Sequence, residues 1–248
     1  MKNNRVLIGT SLVLAASAVH AADDCKCEEE EQKEASPWTT TAGVGYVNTS
    51  GNTNTDSLTV RFDTAYEIED WKHEAHFETL KASTDDVTTA DRKLLTAQSS
   101  YKYSPRDYWF GNLAWEDDRF TGFEYQAVLS IGYGRKLIVS DRHNLDFEIG
   151  PGYRNFKVEG APSSEDEYLL RTAGKYKWKI SDYSDFSQDL LGNFGEDQTE
   201  WRSVTALRTS IYQNLALRLA YNVRYLDKVP VGNENYDRTT TITLDYTF

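Results

Sequence analysis

The sequence predicts an all-β fold, an antiparallel transmembrane up-and-down β-barrel of about twelve strands. Three observations support this prediction. Apolar and polar residues alternate along most of the chain from Trp38 onward, with no sustained helical period. The alternating runs are about ten or more residues long, the length that a tilted strand needs to cross a bilayer. The links between them alternate between tight polar turns and longer loops, as in bacterial outer-membrane barrels.

The first segment, 1–21, has the features of an export signal peptide. Lys2 and Arg5 precede a short apolar run at 6–19, and Ala21 follows as a small residue suited to cleavage. The run is shorter than the roughly 20 apolar residues of a membrane-spanning helix. We therefore expect an exported chain that has lost this segment.

Residues 22–37 are predicted to form an acidic, disordered leader in the periplasm. The stretch is charged and nearly free of apolar residues, so it cannot bury enough surface to fold. Asp23 and Asp24 stand where a lipoprotein signal needs small uncharged residues, which argues against a lipid anchor on Cys25. Cys25 and Cys27 could form a local disulfide or bridge to another chain in an oxidising compartment. A solvated tail is the simpler interpretation.

Residues 38–248 are predicted to form the barrel itself. In the last strand, Ile242 and Leu244 alternate with Thr243 and Asp245. Because successive side chains of a strand point to opposite faces, such a segment has one apolar and one polar face. The predicted strands cover 38–48, 55–68, 71–83, 92–103, 107–117, 122–138, 143–156, 167–180, 184–195, 200–212, 215–227 and 236–248.

Two kinds of connection separate these strands. Five links are short and polar, as expected of tight turns. They lie at 69–70, 104–106, 140–142, 181–183 and 213–214. The other links are predicted to be longer loops, at 48–54, 84–91, 117–121, 157–166, 196–199 and 227–235.

A soluble β-sandwich or lipocalin-type barrel is the alternative fold, and its apolar face would point inward. Two features favour a membrane barrel instead. Aromatic residues such as Trp71 and Tyr225 fall near both ends of the strands, where interfacial girdles lie. The face opposite the apolar one is charged at mid-strand, for example at Lys177 and Asp189. We therefore expect the outer membrane as the location, with the leader and the C-terminus in the periplasm.

A short motif carries a family resemblance. Ser50, Gly51, Asn52 and Thr53 link a small-residue strand to a strand that begins near Leu58. In this feature the chain resembles the opening hairpin of the salt-induced outer-membrane protein family, whose members are barrels of unknown function. The resemblance implies the fold and a link to salt stress, but no activity. Considered alone, the motif is typical of a turn, because Gly and Asn tolerate a left-handed backbone.

The end of the chain carries a second resemblance. Tyr246, Thr247 and Phe248 are similar to the C-terminal signal of outer-membrane proteins. Phe248 therefore implies recognition by the outer-membrane assembly machinery. The other expected partners are outer-membrane lipids and lipopolysaccharide, with a monomer favoured. No binding to nucleic acid is expected, because a net charge of −12 does not suit contact with phosphates.

The polar faces of the strands should line the barrel interior. Opposite charges on adjacent strands could pair there, each pair contributing roughly 0.2–1 kcal/mol. Asp146 and Glu148 lie on one predicted strand, and the next carries Arg171, Lys175, Lys177 and Lys179. Arg218 and Arg224 similarly neighbour Asp237 and Asp245. At about twelve strands the lumen is narrower than that of a general porin, so long cationic side chains could nearly fill it. The candidate lumen-lining residues are Arg61, Asp63, Asp146, Glu148, Arg171, Lys175, Lys177, Lys179, Asp189, Arg218, Arg224 and Asp245.

Two functions follow from such a lumen, and both stay open at this point. The charged strips could form a narrow channel for ions or small polar solutes. Alternatively, the charges could pair and close the lumen, leaving a structural or stress-related envelope protein. A surface-binding protein is a further possibility, since the acidic loop 157–166 could meet the divalent cations that bridge lipopolysaccharide.

Enzymatic activity is not expected, and no catalytic, cofactor-binding or metal-binding residues are predicted. An outer-membrane hydrolase would need a histidine base within reach of a nucleophile. His73 and His76 lie three residues apart on a predicted strand, so they point to opposite faces. His143 falls beside a predicted tight turn.

Overall fold

Twelve strands account for nearly all of the chain that the structure describes. This structure is a computed structural model, and it describes residues 36–49, 55–119, 121–230 and 234–248. The strands are β1 (Trp38–Thr49), β2 (Thr55–Ile68), β3 (Trp71–Thr84), β4 (Val87–Lys102), β5 (Asp107–Asp118), β6 (Phe123–Val139), β7 (His143–Val158), β8 (Glu165–Lys179), β9 (Ser184–Gly195), β10 (Thr199–Tyr212), β11 (Leu215–Leu226) and β12 (Tyr236–Thr247).

The strands form one closed antiparallel barrel in sequence order, and β1 pairs with β12 to complete it. The predicted fold class and strand count are therefore confirmed. Links of two to four residues join the strands at the end that also holds Trp38 and Phe248, and we call this the short-turn end. The opposite end, which holds the link 159–164, is called the loop end.

One predicted loop was wrong. Strand β4 begins at Val87 rather than at residue 92, so the predicted long link at 84–91 is a two-residue turn. Asp85 and Asp86 form that turn with φ angles of 49° and 63°. Asp is among the residues that adopt this left-handed conformation most readily, and paired left-handed residues match the twist of a hairpin. A register shift between Ala82 and Ser83 breaks the alternation that would have marked the longer strand.

The two faces of the sheet differ as the alternation predicts. On β11, Leu219 is 45% exposed on the outside, whereas its neighbour Ala220 is fully buried on the inside. Paired aromatic rings lie on the outer face near both ends. Trp71 contacts Tyr101 near the short-turn end with ring centroids 5.1 Å apart, and Tyr225 contacts Tyr236 near the loop end at 4.7 Å. Such bands of aromatic residues suit the two interfaces of a bilayer.

The apolar core is small, because most of the interior is polar. Phe123, Phe156 and Leu226 form a buried cluster near the loop end, with Val158 and Val229 packed against it. Within the described ranges, no helix is both long and apolar enough to span a membrane.

The seam between β1 and β12 is the shortest pairing in the barrel. Four residue pairs are in register there, from Thr41–Thr247 to Val44–Leu244, whereas adjacent strands elsewhere share at least eleven. Gly45 marks the end of the paired stretch. A Cβ atom at this position would lie 2.1 Å from the Ile242 carbonyl oxygen, so the close approach of the two strands requires glycine.

Candidate functional site

The interior near the loop end holds a network of arginine and glutamate side chains. We call it the Arg–Glu network, and its members are Arg92, Glu116, Arg154, Glu200, Arg202 and Arg224. Each lies on the inward face of its strand, because it is spaced by even numbers of residues from other inward positions on that strand. Charged groups in a membrane barrel belong on this face, because placing them against lipid is costly.

Glu116 on β5 is the centre of the network. Its carboxylate accepts a hydrogen bond from Arg202 on β10 at 2.6 Å and lies 3.5 Å from Nη1 of Arg224 on β11. Strands β5 and β11 are six positions apart in a ring of twelve, so they stand on opposite walls. These contacts therefore cross the lumen. Gln126 on β6 makes a similar crossing, since its side-chain oxygen accepts a hydrogen bond from Arg224 at 3.2 Å.

Glu200 joins Arg154 to this crossing, whereas Arg92 lies 3.9 Å from Glu116 itself. Its Oε1 accepts hydrogen bonds from Arg202 at 2.7 Å and from Arg224 at 3.0 Å. Arg154 lies 4.0 Å from the other oxygen and donates to Glu167 at 2.6 Å. Arg154 is fully buried and the two glutamates are nearly so. A buried charge is tolerated when opposite charges and hydrogen bonds compensate for lost water, which is the arrangement at this level.

A second cluster surrounds Glu148 on β7, a side chain only 1% exposed. Arg171 donates to one carboxylate oxygen at 2.9 Å, and Lys175 donates to the other at 3.1 Å. Gln98 and Tyr108 donate to that second oxygen at 2.8 and 3.0 Å. The sequence predicted pairing between β7 and β8, and the structure brings Glu148 together with Arg171 and Lys175. The partners on β4 and β5 were not predicted.

A third cluster lies near the seam. Arg61 donates to Asp245 at 2.9 Å and lies 3.1 Å from Asp63, and His76 hydrogen-bonds to Asp63 at 2.8 Å. Asp245 is completely buried and also accepts a hydrogen bond from Thr243 at 2.7 Å. The absence of a side chain at Gly43 makes room for it, because a Cβ atom there would lie 2.4 Å from the Asp245 carboxylate.

A polar cavity of about 1040 Å³ runs beside these clusters. Its wall includes Asp141 and Arg142 in a link at the short-turn end. It also includes Thr89 and Asp237, which lie within three residues of the loop end of their strands. Small side chains on the β1–β12 side keep this part of the lumen open, so the same cavity reaches toward both ends of the barrel.

The structure places most of the predicted lumen residues on the cavity wall, namely Arg61, Asp63, Arg171, Lys175, Lys177, Lys179, Asp189, Arg218 and Arg224. Glu148 and Asp245 lie behind this wall, each bound by a cation that does line it. Asp146 does not line the cavity and has no ion-pair partner within 4.0 Å in the described part of the chain.

Several expected ion pairs have other partners. Arg224 binds Glu200 and Glu116 rather than Asp237, and Asp245 binds Arg61 rather than Arg218. These differences share one cause. The barrel wall curves around its lumen. A long arginine side chain can therefore reach an acid on a more distant strand more easily than it can reach the short aspartate side chain on the strand next to it.

Lys179 is the last residue of β8 and lies at the short-turn end of the cavity wall. Lys179 pairs with Asp182 in the link 180–183, with 2.7 Å between the ammonium and carboxylate groups. That hydrogen bond lowers the pKa of Asp182 below its usual range.

The Arg–Glu network was largely missed by the sequence analysis, which singled out only Arg224. Glu116 and Asp118 are two residues apart, as are Glu200 and Arg202, so each pair shares one face of its strand. This spacing of charged residues could have indicated that Glu116, Glu200 and Arg202 point inward. What alternation cannot indicate is which strand faces which across the lumen.

The remaining predicted positions are scattered. Ser50, Gly51, Asn52 and Thr53 lie outside the described residues, as do the signal peptide and the predicted leader up to residue 35. His73 stacks on Trp71 on the outer face.

His143 lies beside Tyr176, with 2.8 Å between Nδ1 and the hydroxyl. Across the described ranges, no group of three or more His, Cys, Asp or Glu side chains is arranged to hold a metal ion.

A closed twelve-stranded barrel with an apolar exterior and a charged interior defines an outer-membrane β-barrel protein. More particularly, the chain belongs to the family described as "Protein of unknown function, DUF481", whose model matches residues 42–248. The family resemblance is thereby confirmed. A relative from Escherichia coli (strain K12), the "Uncharacterized protein YdiY", is 30% identical over 241 residues, which cover 93% of this chain and 92% of the relative.

Two solved structures share the fold. One is the translocator domain of the autotransporter NalP from Neisseria meningitidis, with a TM-score of 0.51, 12% identity, and coverage of 88% of this chain and 90% of that one. The other is the NanC porin, with a TM-score of 0.51, 8% identity, and coverage of 84% and 98%. At these identities the likeness shows the architecture alone.

Proposed function

We propose that this protein is a narrow, charge-lined channel that conducts ions or small polar solutes across the outer membrane. The observation that carries the proposal is the polar cavity of about 1040 Å³, whose wall reaches from Asp141 and Arg142 at one end to Thr89 and Asp237 at the other. A water-filled path needs charged and polar groups along its wall, because ions must exchange water for protein groups as they pass. The Arg–Glu network fills the other side of the lumen and keeps the path narrow.

Planar-bilayer recording of the refolded full-length protein tests this proposal, with cysteine variants that report on the path. In a Cys25→Ser, Cys27→Ser background, Ser187→Cys places a thiol on the cavity wall. Ser203→Cys places one on the outer face, where Ser203 hydrogen-bonds Gln188. We expect steady unitary currents that a charged methanethiosulfonate reagent reduces in the Ser187→Cys protein alone. Silent bilayers, or equal modification of both variants, would contradict the channel.

A closed, non-conducting barrel is the second candidate, favoured by the contacts of Glu116 across the lumen. If the network seals the lumen, the intact protein will be silent, and a variant without the crossing will conduct. Glu116→Ala removes the side chain that both Arg202 and Arg224 contact across the lumen. Currents seen only in that variant would favour the closed barrel with a structural or stress-related role.

The orientation belongs to the same proposal. We place the short-turn end in the periplasm and the loop end outside, facing lipopolysaccharide, because outer-membrane barrels have short periplasmic turns and longer outer loops. Labelling of intact cells with a membrane-impermeant maleimide tests this, again in the Cys25→Ser, Cys27→Ser background. Gly160→Cys in the link 159–164 should react, and Asp141→Cys in the link 140–142 should not.

Further expectations attach to the channel. Phe248 lies exposed at the short-turn end, where the assembly machinery could bind it, and a monomer is favoured. The link to salt stress stays an expectation from the family resemblance. Comparing the growth of a deletion strain at raised salt, with and without the intact gene restored, tests this link to salt stress.

A further inference from the structure

We infer that the lumen selects small anions, and that Lys177 and Arg218 are its specificity-determining residues. The inference rests on the proposed channel and names the class of solute that the channel favours. It is not evident from the composition, since the chain as a whole carries a net charge of −12.

The charge of the cavity wall is opposite in sign to that of the chain. Among the described residues, and leaving out Arg238, which lies over the Tyr236 ring on the outer face, the wall carries eleven Lys and Arg side chains but only eight Asp and Glu side chains. A permeating ion interacts most strongly with the groups nearest to it, since Coulomb interactions weaken with distance and are screened by salt. The wall therefore presents an excess of positive charge to an ion inside it.

The carboxylates that balance the other cations sit behind the wall. Glu148 lies behind Arg171 and Lys175, and Asp245 lies behind Arg61; both acids are buried and outside the cavity lining. Asp and Glu side chains are shorter than Lys and Arg, so a paired carboxylate stays near the strand while its cation extends toward the axis. The same order recurs at the loop end, where Arg202 and Arg224 line the cavity but Glu116 and Glu200 do not.

Among the inward-facing cations that the strands contribute to this wall, Lys177 and Arg218 have the least neutralisation. Neither side chain forms a salt bridge within 4.0 Å or a hydrogen bond with any residue of the described ranges, and both line the cavity. Lys177 is exposed, as a residue facing water would be. Arg218 projects from the inward face of β11 between Ala216 and Ala220 and is partly exposed.

Two inward-facing acidic residues on the same wall, Asp189 and Asp237, also have no salt bridge within 4.0 Å among the described residues. Asp189 pairs in register with Lys175. Asp189 and Asp237 offset part of the positive charge, but the wall as a whole still carries three more cations than acids. Neutralising Asp189 should therefore change the selectivity in the opposite direction from neutralising Lys177 or Arg218.

Reversal potentials in a potassium chloride gradient test the inference on the refolded full-length protein. The intact channel should be more permeable to chloride than to potassium. Lys177→Gln and Arg218→Gln should each lower the ratio of chloride to potassium permeability by about two- to fivefold, the effect of one charge at short range in a water-like medium. Asp189→Asn should raise it.

The matched control is Lys93→Gln, which removes a lysine that does not line the cavity and pairs instead with Asp117 at 3.0 Å. It should leave the ratio unchanged. Unchanged heat-modifiable migration on gels shows that each variant is folded. Steady currents with a preference for potassium, or with no preference, would overturn anion selection and leave the channel standing. Silent bilayers would overturn both.

Discussion

At the scale of single residues, Glu148 shows why interior charges stabilise this barrel. Its carboxylate has four donors and almost no exposure, so it exchanges its water shell for hydrogen bonds with protein groups. Sequence analysis identified Glu148 as an inward residue beside four basic residues of β8, and two of these, Arg171 and Lys175, are its partners. It could not identify Gln98 or Tyr108, which are 50 and 40 residues away along the chain.

Replacing Glu148 tests the importance of this buried charge. Glu148→Gln keeps the shape of the side chain but leaves Arg171 and Lys175 without their carboxylate. We expect the free energy of unfolding to fall by about 3 kcal/mol, because removing one member of a buried ion pair strands the other charge. Urea unfolding of the refolded barrel in lipid vesicles, followed by tryptophan fluorescence, measures the change.

Asp182→Asn is the matched control for Glu148→Gln. Asp182 pairs with Lys179 on the surface, where water screens the interaction, so no measurable change is expected. Equal losses in the two variants would show that the burial of Glu148 has no special effect.

At the scale of elements, the alternation of each strand decides which residues meet lipid. This pattern was largely predictable, because period-two alternation depends only on the sequence and the geometry of a strand. The prediction failed at the start of β4, where two local features obscured the first residues of the strand. The register shift at Ala82–Ser83 broke the alternation, and the turn residues Asp85 and Asp86 resemble an ordinary polar loop.

Two arginine substitutions on β11 test the assignment of faces. Leu219→Arg places a charge on the outer face near mid-strand, and the expected cost is about 2–4 kcal/mol of folding free energy. Asn222→Arg adds the same side chain to the cavity wall, where water can solvate its charge and Asp237 can compensate it. Folding titrations into lipid vesicles compare the two. A soluble barrel with an inward apolar face would give the opposite order.

The turn at Asp85–Asp86 gives an independent test within one hairpin. Asp86→Gly should stabilise the barrel by roughly 0.5–1 kcal/mol, because glycine adopts a positive φ without a steric cost. Asp86→Val should destabilise it by a similar or larger amount, since a β-branched residue is strained there. Thermal unfolding of both variants beside the intact protein provides the measurement. Identical midpoints would contradict the turn conformation.

At the scale of the whole molecule, closure depends on a seam that no single-strand pattern could reveal. The pairing of β1 with β12 was implied by an even number of strands, but its short register was not. The short register depends on Gly45, whose missing side chain lets β1 approach the Ile242 carbonyl. A glycine in the sequence does not say which backbone comes close to it.

Gly45→Ala should weaken the seam. The added Cβ atom would lie 2.1 Å from a backbone oxygen that cannot easily move. The expected loss is about 1–3 kcal/mol, the range for overpacking a tight contact. Gly174→Ala is the control, because a Cβ atom at that position meets nothing within 4 Å. Urea unfolding and the heat-modifiable shift on gels report both, and equal behaviour would mean that the seam tolerates the extra atom.

The seam also sets the order of events when the chain folds. Thr41 and Thr247, which contact each other across it, are 206 residues apart in sequence. Every other strand can find its partner through a nearby hairpin, but these two can meet only after the last strand has arrived. Until then the nascent sheet has two unpaired edges, which are prone to aggregate. Because distant pairings are slow to form, the joining of the two ends should be the late, rate-limiting step of folding.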